Sequence, residues 1–225
     1  MNLRGITPEQ NRLMTSRKIR GFSLLEMMTV IAISLLLATV AFIAMIPLFK
    51  KNHVDQAYDM TLSVLRTYRN QAITQSNRYI IIPTAPGTIT VQYWGYVAPP
   101  GVSPAPQTVT TILLPEDIQF AVQAGFPNPG PDGFGTGASA IYTQNAMTGA
   151  AASCTVVAGG QPCLVFYPDG STQDDQGNFE SAVLYITQPT NNAFSSRAID
   201  VYGTTGRIRG WRLYNVNGTN TWEQQ

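Results

Sequence analysis

A long run of apolar residues dominates the N-terminal part of this chain. Residues 27–46 are twenty consecutive positions without a charge, enough for a helix to cross a hydrocarbon core about 30 Å thick. Immediately before them stands one carboxylate, Glu26, and before that a basic leader and a glycine. An ionisable group inside a membrane-length segment is costly, so it marks a functional position that needs a partner. The pattern predicts a membrane helix with one functional charge.

The helical pattern continues beyond the membrane segment, over residues 50–77, with a different distribution of apolar residues. They recur at steps of three and four, which is the period of an amphipathic helix: Val54, Ala57, Tyr58, Leu62, Leu65, Tyr68, Ala72 and Ile73. We expect this face to dock on another layer. Arg66 and Arg69 then lie on a solvated basic face of a half-buried helix. The alternative is that these arginines, Tyr58 and Tyr68 form contacts between subunits. Residues 22–77 together form one predicted helix of roughly 84 Å at 1.5 Å per residue.

The remaining chain alternates β-branched and aromatic runs with turn residues, a pattern typical of strands. The predicted strands are Tyr79–Thr84, Thr88–Tyr96, Thr108–Leu114, Cys163–Pro168, Ala182–Thr187, Arg197–Tyr202 and Arg207–Tyr214. Residues 98–162 are rich in Pro and Gly and are predicted to be mostly loop. The fold class is therefore α+β, with the second half of the helix packed on a mostly antiparallel sheet in one two-layer head, residues 78–225.

The residues Gly21-Phe22-Ser23-Leu24-Leu25-Glu26 resemble the processing and methylation site of type IV prepilins and type II secretion pseudopilins. The resemblance implies a pilin-like fold and cleavage between Gly21 and Phe22 by a membrane-embedded prepilin peptidase. Residues 1–21 would be the leader, and the new amino group of Phe22 would be methylated. Residues 22–49 would form the transmembrane and assembly helix, in which Glu26 pairs with the terminal amine of a neighbouring subunit.

The C-terminal third resembles the FimT and pseudopilin H group of minor pilins, in which a Gly-Arg-x-Arg stretch is tied to DNA uptake in some members. Gly206–Arg209 fit that stretch. The candidate DNA-binding residues are Arg207, Arg209, Trp211 and Arg212, since guanidinium groups reach phosphates and aromatic rings stack on bases. The alternative is an edge strand protected by its charges, with Ile208 inward and the arginines outward.

The charge balance limits this DNA hypothesis. The whole chain carries a formal charge of +1, but the leader holds five basic residues and one acidic residue, which leaves −3 for the rest. A generally basic nucleic-acid binder is therefore excluded, and any such role needs a local patch. Basic residues before the apolar run also predict a cytoplasmic leader, with the chain continuing outward into an oxidising space.

The two cysteines fit that compartment. Cys154 and Cys163 are the only cysteines of the chain, so a disulfide between them requires no choice of connectivity. A zinc or thiol site lacks further ligands, because His53 is the only histidine and lies at the membrane end of the helix, far from both cysteines in the sequence. A calcium site at Asp169, Asp174, Asp175 and Glu180 is the alternative to a solvated turn, but its spacing is poor. No metal, cofactor or catalytic residue is predicted, and the chain is not expected to be an enzyme.

The function expected from these features is a structural subunit, a minor pilin or pseudopilin, of a type IV pilus or type II secretion pseudopilus. Its partners would be other pilins, the prepilin peptidase and methyltransferase, and the inner-membrane assembly platform. It would reside in the bacterial inner membrane before assembly and afterwards in a filament in the periplasm or at the cell surface. The alternatives are a DNA-binding minor pilin and an anchored extracytoplasmic binding domain that does not assemble.

Overall fold

The computed structural model describes residues 22–95, 105–152, 154, 160–174, 176–190 and 192–225, with the backbone alone at 46–52. The leader, with Gly21, and Asp175 lie outside the described residues. The chain divides into two compact units, an N-terminal unit that ends at Ile46 and a C-terminal unit of Pro47–Gln225. One helix, α1, Leu24–Gln75, contributes to both units.

In the N-terminal unit, α1 is apolar on every side. Residues Leu24–Met45 have a mean hydropathy of 2.5 and none of them is buried, so this segment is long and apolar enough to span a membrane. Two of its hydroxyl groups bond within the helix. Thr29 Oγ1 donates to the Glu26 carbonyl at 2.8 Å, and Thr39 Oγ1 donates to the Leu36 carbonyl at 2.7 Å. These bonds satisfy the two threonine hydroxyl groups without a partner outside the helix.

The C-terminal unit combines the rest of α1 with ten strands. They are β1 Arg78–Thr84, β2 Thr88–Trp94, β3 Gln107–Leu113, β4 Gln119–Phe120, β5 Ile141–Asn145, β6 Leu164–Phe166, β7 Glu180–Thr187, β8 Arg197–Tyr202, β9 Arg207–Val216 and β10 Thr219–Gln224. Two short 3₁₀ turns span Pro131–Gly133 and Ala193–Ser195. The strands form a four-stranded sheet, β3-β2-β1-β6, and a six-stranded sheet, β10-β9-β8-β7-β4, with β5 also on β7. Every recorded pairing is antiparallel.

The core lies between α1 and the inner faces of both sheets, and the predicted α+β architecture is confirmed. The buried helix side chains follow the predicted period and meet alternate residues of the strands: Val54, Ala57, Tyr58, Leu62, Leu65 and Ala72 against Ile81, Val91, Leu164, Phe166, Leu184, Ile186 and Ile199. Ile73 departs from the predicted face, because it is 40% exposed. Tyr68 packs at the margin of the cluster.

The prediction of two layers was wrong for part of this unit, because the outer faces of the sheets are also covered. Strand β7 is buried at all eight positions. Its outer side chains Val183 and Tyr185 pack with Phe126, Phe134 and Tyr142 from the region predicted to be mostly loop, together with Trp211 and Trp222. That region also contains β4 and β5, which were not predicted. The Pro- and Gly-rich segment therefore forms a third layer over the six-stranded sheet.

The four-stranded sheet has a smaller outer cover. Cys154 and Cys163 are joined by a disulfide, their Cα atoms lie 5.3 Å apart, and both are buried. They pack on Ile80, Ile82 and Val165 from the outer faces of β1 and β6. The disulfide thus holds its loop against the sheet as well as closing it.

Candidate functional site

The start of α1 presents the residues that the methylation-site resemblance singled out. Phe22 is 77% exposed just before the helix, and Glu26 is exposed in its first turn. The first helical bond joins the Met27 amide to the Ser23 carbonyl at 3.1 Å. A carboxylate in the first turn interacts favourably with the partial positive charge at the helix N-terminus. Among the described residues, no hydrogen bond or ion pair is recorded for the Glu26 side chain.

The three arginines of β9 do not form one surface. Arg209 and Arg212 project from opposite faces of the strand because successive side chains alternate. Arg209 forms an ion pair with Asp132, and the Arg212 guanidinium lies 5.4 Å from the ring centre of Tyr214. Trp211 is also engaged, since its Nε1 donates to Asp200 Oδ1 at 3.0 Å. Of the predicted DNA-binding set, Arg207 alone is exposed and has no recorded ion pair among the described residues.

The alternative interpretation of β9 as a charged edge strand was wrong. β9 pairs with β8 on one side, where Ile199 faces Gly210, and with β10 on the other, where Trp222 faces Leu213. β10 was not predicted from the sequence and occupies the edge instead. The arginines of β9 therefore have no role in protecting a sheet edge.

Arg207 instead joins two arginines of α1. A surface cleft of about 450 Å³ is lined by Arg66, Arg69 and Asn70 from α1 and by residues 205–208 from the β8–β9 turn and the start of β9. Arg66 and Arg207 are exposed. Guanidinium groups are suited to bind carboxylate or phosphate groups in a fork geometry. The cleft is thus a concave cationic surface that combines parts of the chain about 140 residues apart.

Arg69 fixes the geometry of that cleft. Its Nε donates to the Gly170 carbonyl at 3.1 Å and its Nη2 donates to the Thr205 carbonyl at 2.9 Å. Gly206 has a φ of +57°, a conformation that favours glycine, and a methyl group there would overlap the Gly170 carbonyl oxygen. The glycine of the Gly-Arg-x-Arg stretch is therefore required for the close packing of two turns, which Arg69 ties to the helix.

A partly buried charge cluster lies on the other face of the six-stranded sheet. Asp200 is fully buried next to Asp132, whose carboxylate pairs with Arg209. Burial, together with the neighbouring Asp132 carboxylate, raises the pKa of Asp200 to about 7. The hydrogen bond from Trp211 and the charge of Arg209 lower this pKa by less. The protonated form of Asp200 is favoured because one guanidinium cannot balance two neighbouring carboxylates, one of which is fully buried.

The acidic residues considered for calcium satisfy their own turns instead. Asp169 Oδ1 accepts hydrogen bonds from the amide and hydroxyl of Ser171, and Asp174 accepts bonds from the backbone amides of Gln176 and Asn178. Within the described part of the chain, no cluster of three or more His, Cys, Asp or Glu side chains is placed to hold a metal ion. Glu180 is buried in β7. The solvated turn is the interpretation that these contacts favour.

Comparison with known proteins adds one specific finding at the N-terminus. Residues 16–42 match the model of the prokaryotic N-terminal methylation motif. The chain carries a prepilin methylation motif. The matched range contains Gly21, Phe22 and Glu26, and it ends within the apolar part of α1. No curated protein matches the chain in sequence.

Two solved structures have a similar arrangement. One is the type IV minor pilin FimU of Pseudomonas aeruginosa, with 10% identity and a TM-score of 0.39, over 72% of this chain and 90% of that chain. The other is the minor pseudopilin EPSH from the type II secretion system of Vibrio cholerae, also with 10% identity and a TM-score of 0.39, over 71% of this chain and 94% of that chain.

Proposed function

We propose that this chain is a membrane-anchored structural subunit, of the minor pilin or pseudopilin kind, that assembles into a type IV pilus or type II secretion pseudopilus. The observation that carries this proposal is the methylation motif at residues 16–42 in front of an apolar helix with no buried residue from Leu24 to Met45. A helix that is apolar all round needs lipid or other apolar helices around it. A filament of such helices provides the second environment once the subunit leaves the membrane.

The charges at the helix start support the same proposal. Cleavage between Gly21 and Phe22 would create a new amino group four residues before Glu26, and its methylation would leave it a cation. In an apolar helix bundle, opposite charges of neighbouring subunits attract strongly, whereas an unpaired carboxylate resists burial. Glu26 has no recorded partner within the described residues, so it is available for an amine of another subunit.

This proposal includes the enzymes and membrane components that the motif requires. A prepilin peptidase with methyltransferase activity would process the chain at the inner membrane, and an assembly platform would extract it. The C-terminal unit would face the oxidising side of the membrane, where the Cys154–Cys163 disulfide can persist. DNA uptake is not part of the proposal, because Arg209 and Arg212 of the predicted patch are engaged elsewhere.

The first test is the mass and N-terminal sequence of the protein recovered from membranes and from sheared surface filaments. A chain that begins at methylated Phe22, lacks the two cysteine thiol hydrogens and occurs in the sheared fraction is the expected result. A chain that retains Met1, or that is cut after the apolar run, would place the protein in the anchored or secreted class instead.

The second test is Glu26→Ala, compared with Glu223→Ala as a control at an exposed acidic position of the C-terminal unit. We expect the Glu26→Ala chain to be processed and folded but reduced at least tenfold in filaments, because the register-setting charge pair is lost. A tenfold reduction corresponds to about 1.4 kcal/mol. The control should assemble like the parent. Normal incorporation of the Glu26→Ala chain would refute the role of this carboxylate.

A further inference from the structure

The uncovered face of α1 in the C-terminal unit carries unpaired charges of opposite sign. Asp59 and Arg66 are both exposed, and no ion pair is recorded for either among the described residues. Their neighbours on the helix differ, because Asp55 pairs with Arg197 of β8 and Arg69 bonds to two carbonyl groups. Asp59 and Arg66 are therefore free charges on the described part of this face.

These two residues have a specific geometric relation. They are seven residues apart, which corresponds to a translation of about 10.5 Å along the helix and a rotation of only ~20°. They consequently lie on one stripe of the helix surface. If a second copy is displaced by that distance along the helix direction, its Asp59 reaches the level of Arg66 on the first copy. Side chains of both stripes can meet where helices pack 8–10 Å apart around a common axis.

The cleft around Arg66 is built to receive a carboxylate. Arg69 is held in place by the Gly170 and Thr205 carbonyls, so less conformational freedom is lost when a ligand binds beside it. Arg207 contributes a second free guanidinium from the other side of the cleft, and Asn70 contributes an amide. The described cleft offers only three cations, which are few for the many phosphates of a polyanion, and the chain after the leader has a net charge of −3, which repels one. A single carboxylate is therefore the better match.

We propose that this cleft binds the Asp59 carboxylate of a second copy of the chain, displaced by about 10.5 Å along α1. The inference rests on the proposed function as a filament subunit. The two sides of the contact are different surfaces, so a pair of copies keeps one free cleft at one end and one free Asp59 at the other. Such a heterologous contact does not close into a dimer but continues along a helical array.

A charge exchange in the full-length chain tests the pair. Arg66→Asp and Asp59→Arg should each lower the amount of protein in sheared filaments at least fivefold, since each places like charges together. The double variant Asp59→Arg/Arg66→Asp should recover at least twofold over either single variant, but not the parent level, because Arg69 and Arg207 remain in the cleft. Glu116→Arg is the matched control, because it reverses an exposed acid of the C-terminal unit outside the cleft. Unchanged thermal unfolding of each detergent-solubilised chain verifies the fold.

Cysteine cross-linking tests the identity of the partner. Cells that make one tagged copy with Asp59→Cys and another with Arg66→Cys should yield a mixed disulfide dimer, whereas either copy alone should yield little. Absence of the mixed dimer from filaments that contain both copies would overturn the proposal. A loss of assembly in Arg66→Asp that the double variant does not improve would also overturn the proposal. So would retention of duplex DNA by the parent chain that is lost in Arg66→Asp.

The outcomes separate this proposal from the proposed function. If both single reversals assemble normally while Glu26→Ala does not, the Asp59 contact is refuted and the filament role stands. If Glu26→Ala also assembles normally and the chain retains its leader, the filament role itself is refuted.

Discussion

The two halves of α1 form the same backbone structure but expose different chemistry. From Leu24 to Met45 no residue is buried, and the hydroxyl groups of Thr29 and Thr39 bond to carbonyls of their own helix. Beyond His53, by contrast, one face is buried by the strands while the opposite face carries charges. The first half needs partners from outside the chain, and the second half has found most of its partners within it.

This difference predicts that the same substitution, leucine to alanine, has a large effect in one half of α1 and almost none in the other. The loss of stability in the second half is the largest that we expect. Leu65→Ala removes a side chain that is 1% exposed in the core, so we expect a loss of about 2–5 kcal/mol in the free energy of unfolding. Leu36→Ala, at a position 67% exposed, should change it by less than about 0.5 kcal/mol. Tryptophan fluorescence of the detergent-solubilised chain during thermal unfolding measures both. Equal losses would contradict the comparison.

A smaller effect is expected where the second half of α1 approaches β9 most closely. A methyl group at Gly210 would overlap the hydroxyl oxygen of Tyr58, so Gly210→Ala should cost about 1–3 kcal/mol through overpacking. Tyr58→Phe removes the nearest of the overlapping atoms and should recover part of that loss in the double variant. The same unfolding assay applies, and a double variant no more stable than Gly210→Ala would exclude the proposed overlap.

A pH-dependent effect is expected at a carboxylate that, unlike Glu26, is buried within its own chain. Burial raises the pKa of Asp200 from 3.8 to about 7, so the folded state binds a proton that the unfolded state releases above pH 4. Stability should therefore fall as the pH rises from about 4 to about 7, with a slope of at most about 1.4 kcal/mol per pH unit, and then level off.

Asp200→Asn tests this origin of the pH dependence. Asparagine keeps an acceptor for Trp211 Nε1 but cannot ionise, so the fall in stability between pH 4 and pH 7 should become shallower. Glu223→Gln, an exposed acid on β10, should leave the slope as it is in the parent. An Asp200→Asn profile with the parent slope would show that another group controls the pH dependence.

The helix was predictable because its signals are local. The uncharged run after Glu26 and the period of three and four from Val54 to Ala72 follow from residues close in sequence, and the structure confirms both. The Ile73 exception lies at the last turns, where the Gly170 turn rather than a strand meets the helix. Periodicity identifies a face, but it does not determine how far the partner layer extends.

The strands were predicted where β-branched runs are self-evident and missed where pairing decides. β10, with the sequence TNTWEQ, is mostly polar, and β5, with the sequence IYTQN, lies in a segment rich in Gly and Ala. Both form because a neighbouring strand offers a ladder, β9 in one case and β7 in the other. Such tertiary pairing outweighs weak intrinsic propensity.

The candidate site shows the same division. Arg66 and Arg69 were recognised on the helix as a basic face, and Arg207 was recognised within β9, but nothing in the spacing relates them. The packing of the Gly170 and Gly206 turns on α1 brings them together. The same packing sends Arg209 to Asp132 and divides the predicted DNA patch.

The sequence by itself determined the apolar helix, the methylation motif and the pairing of the only two cysteines, because each depends on composition or on neighbours along the chain. Tertiary structure alone decided which charges are free. A charged side chain is neutralised or left available according to what folds beside it, and those partners come from positions such as Asp132 and Gly170, tens of residues away. Local sequence therefore specifies an element and its chemistry, whereas long-range packing specifies the surface that remains for a partner.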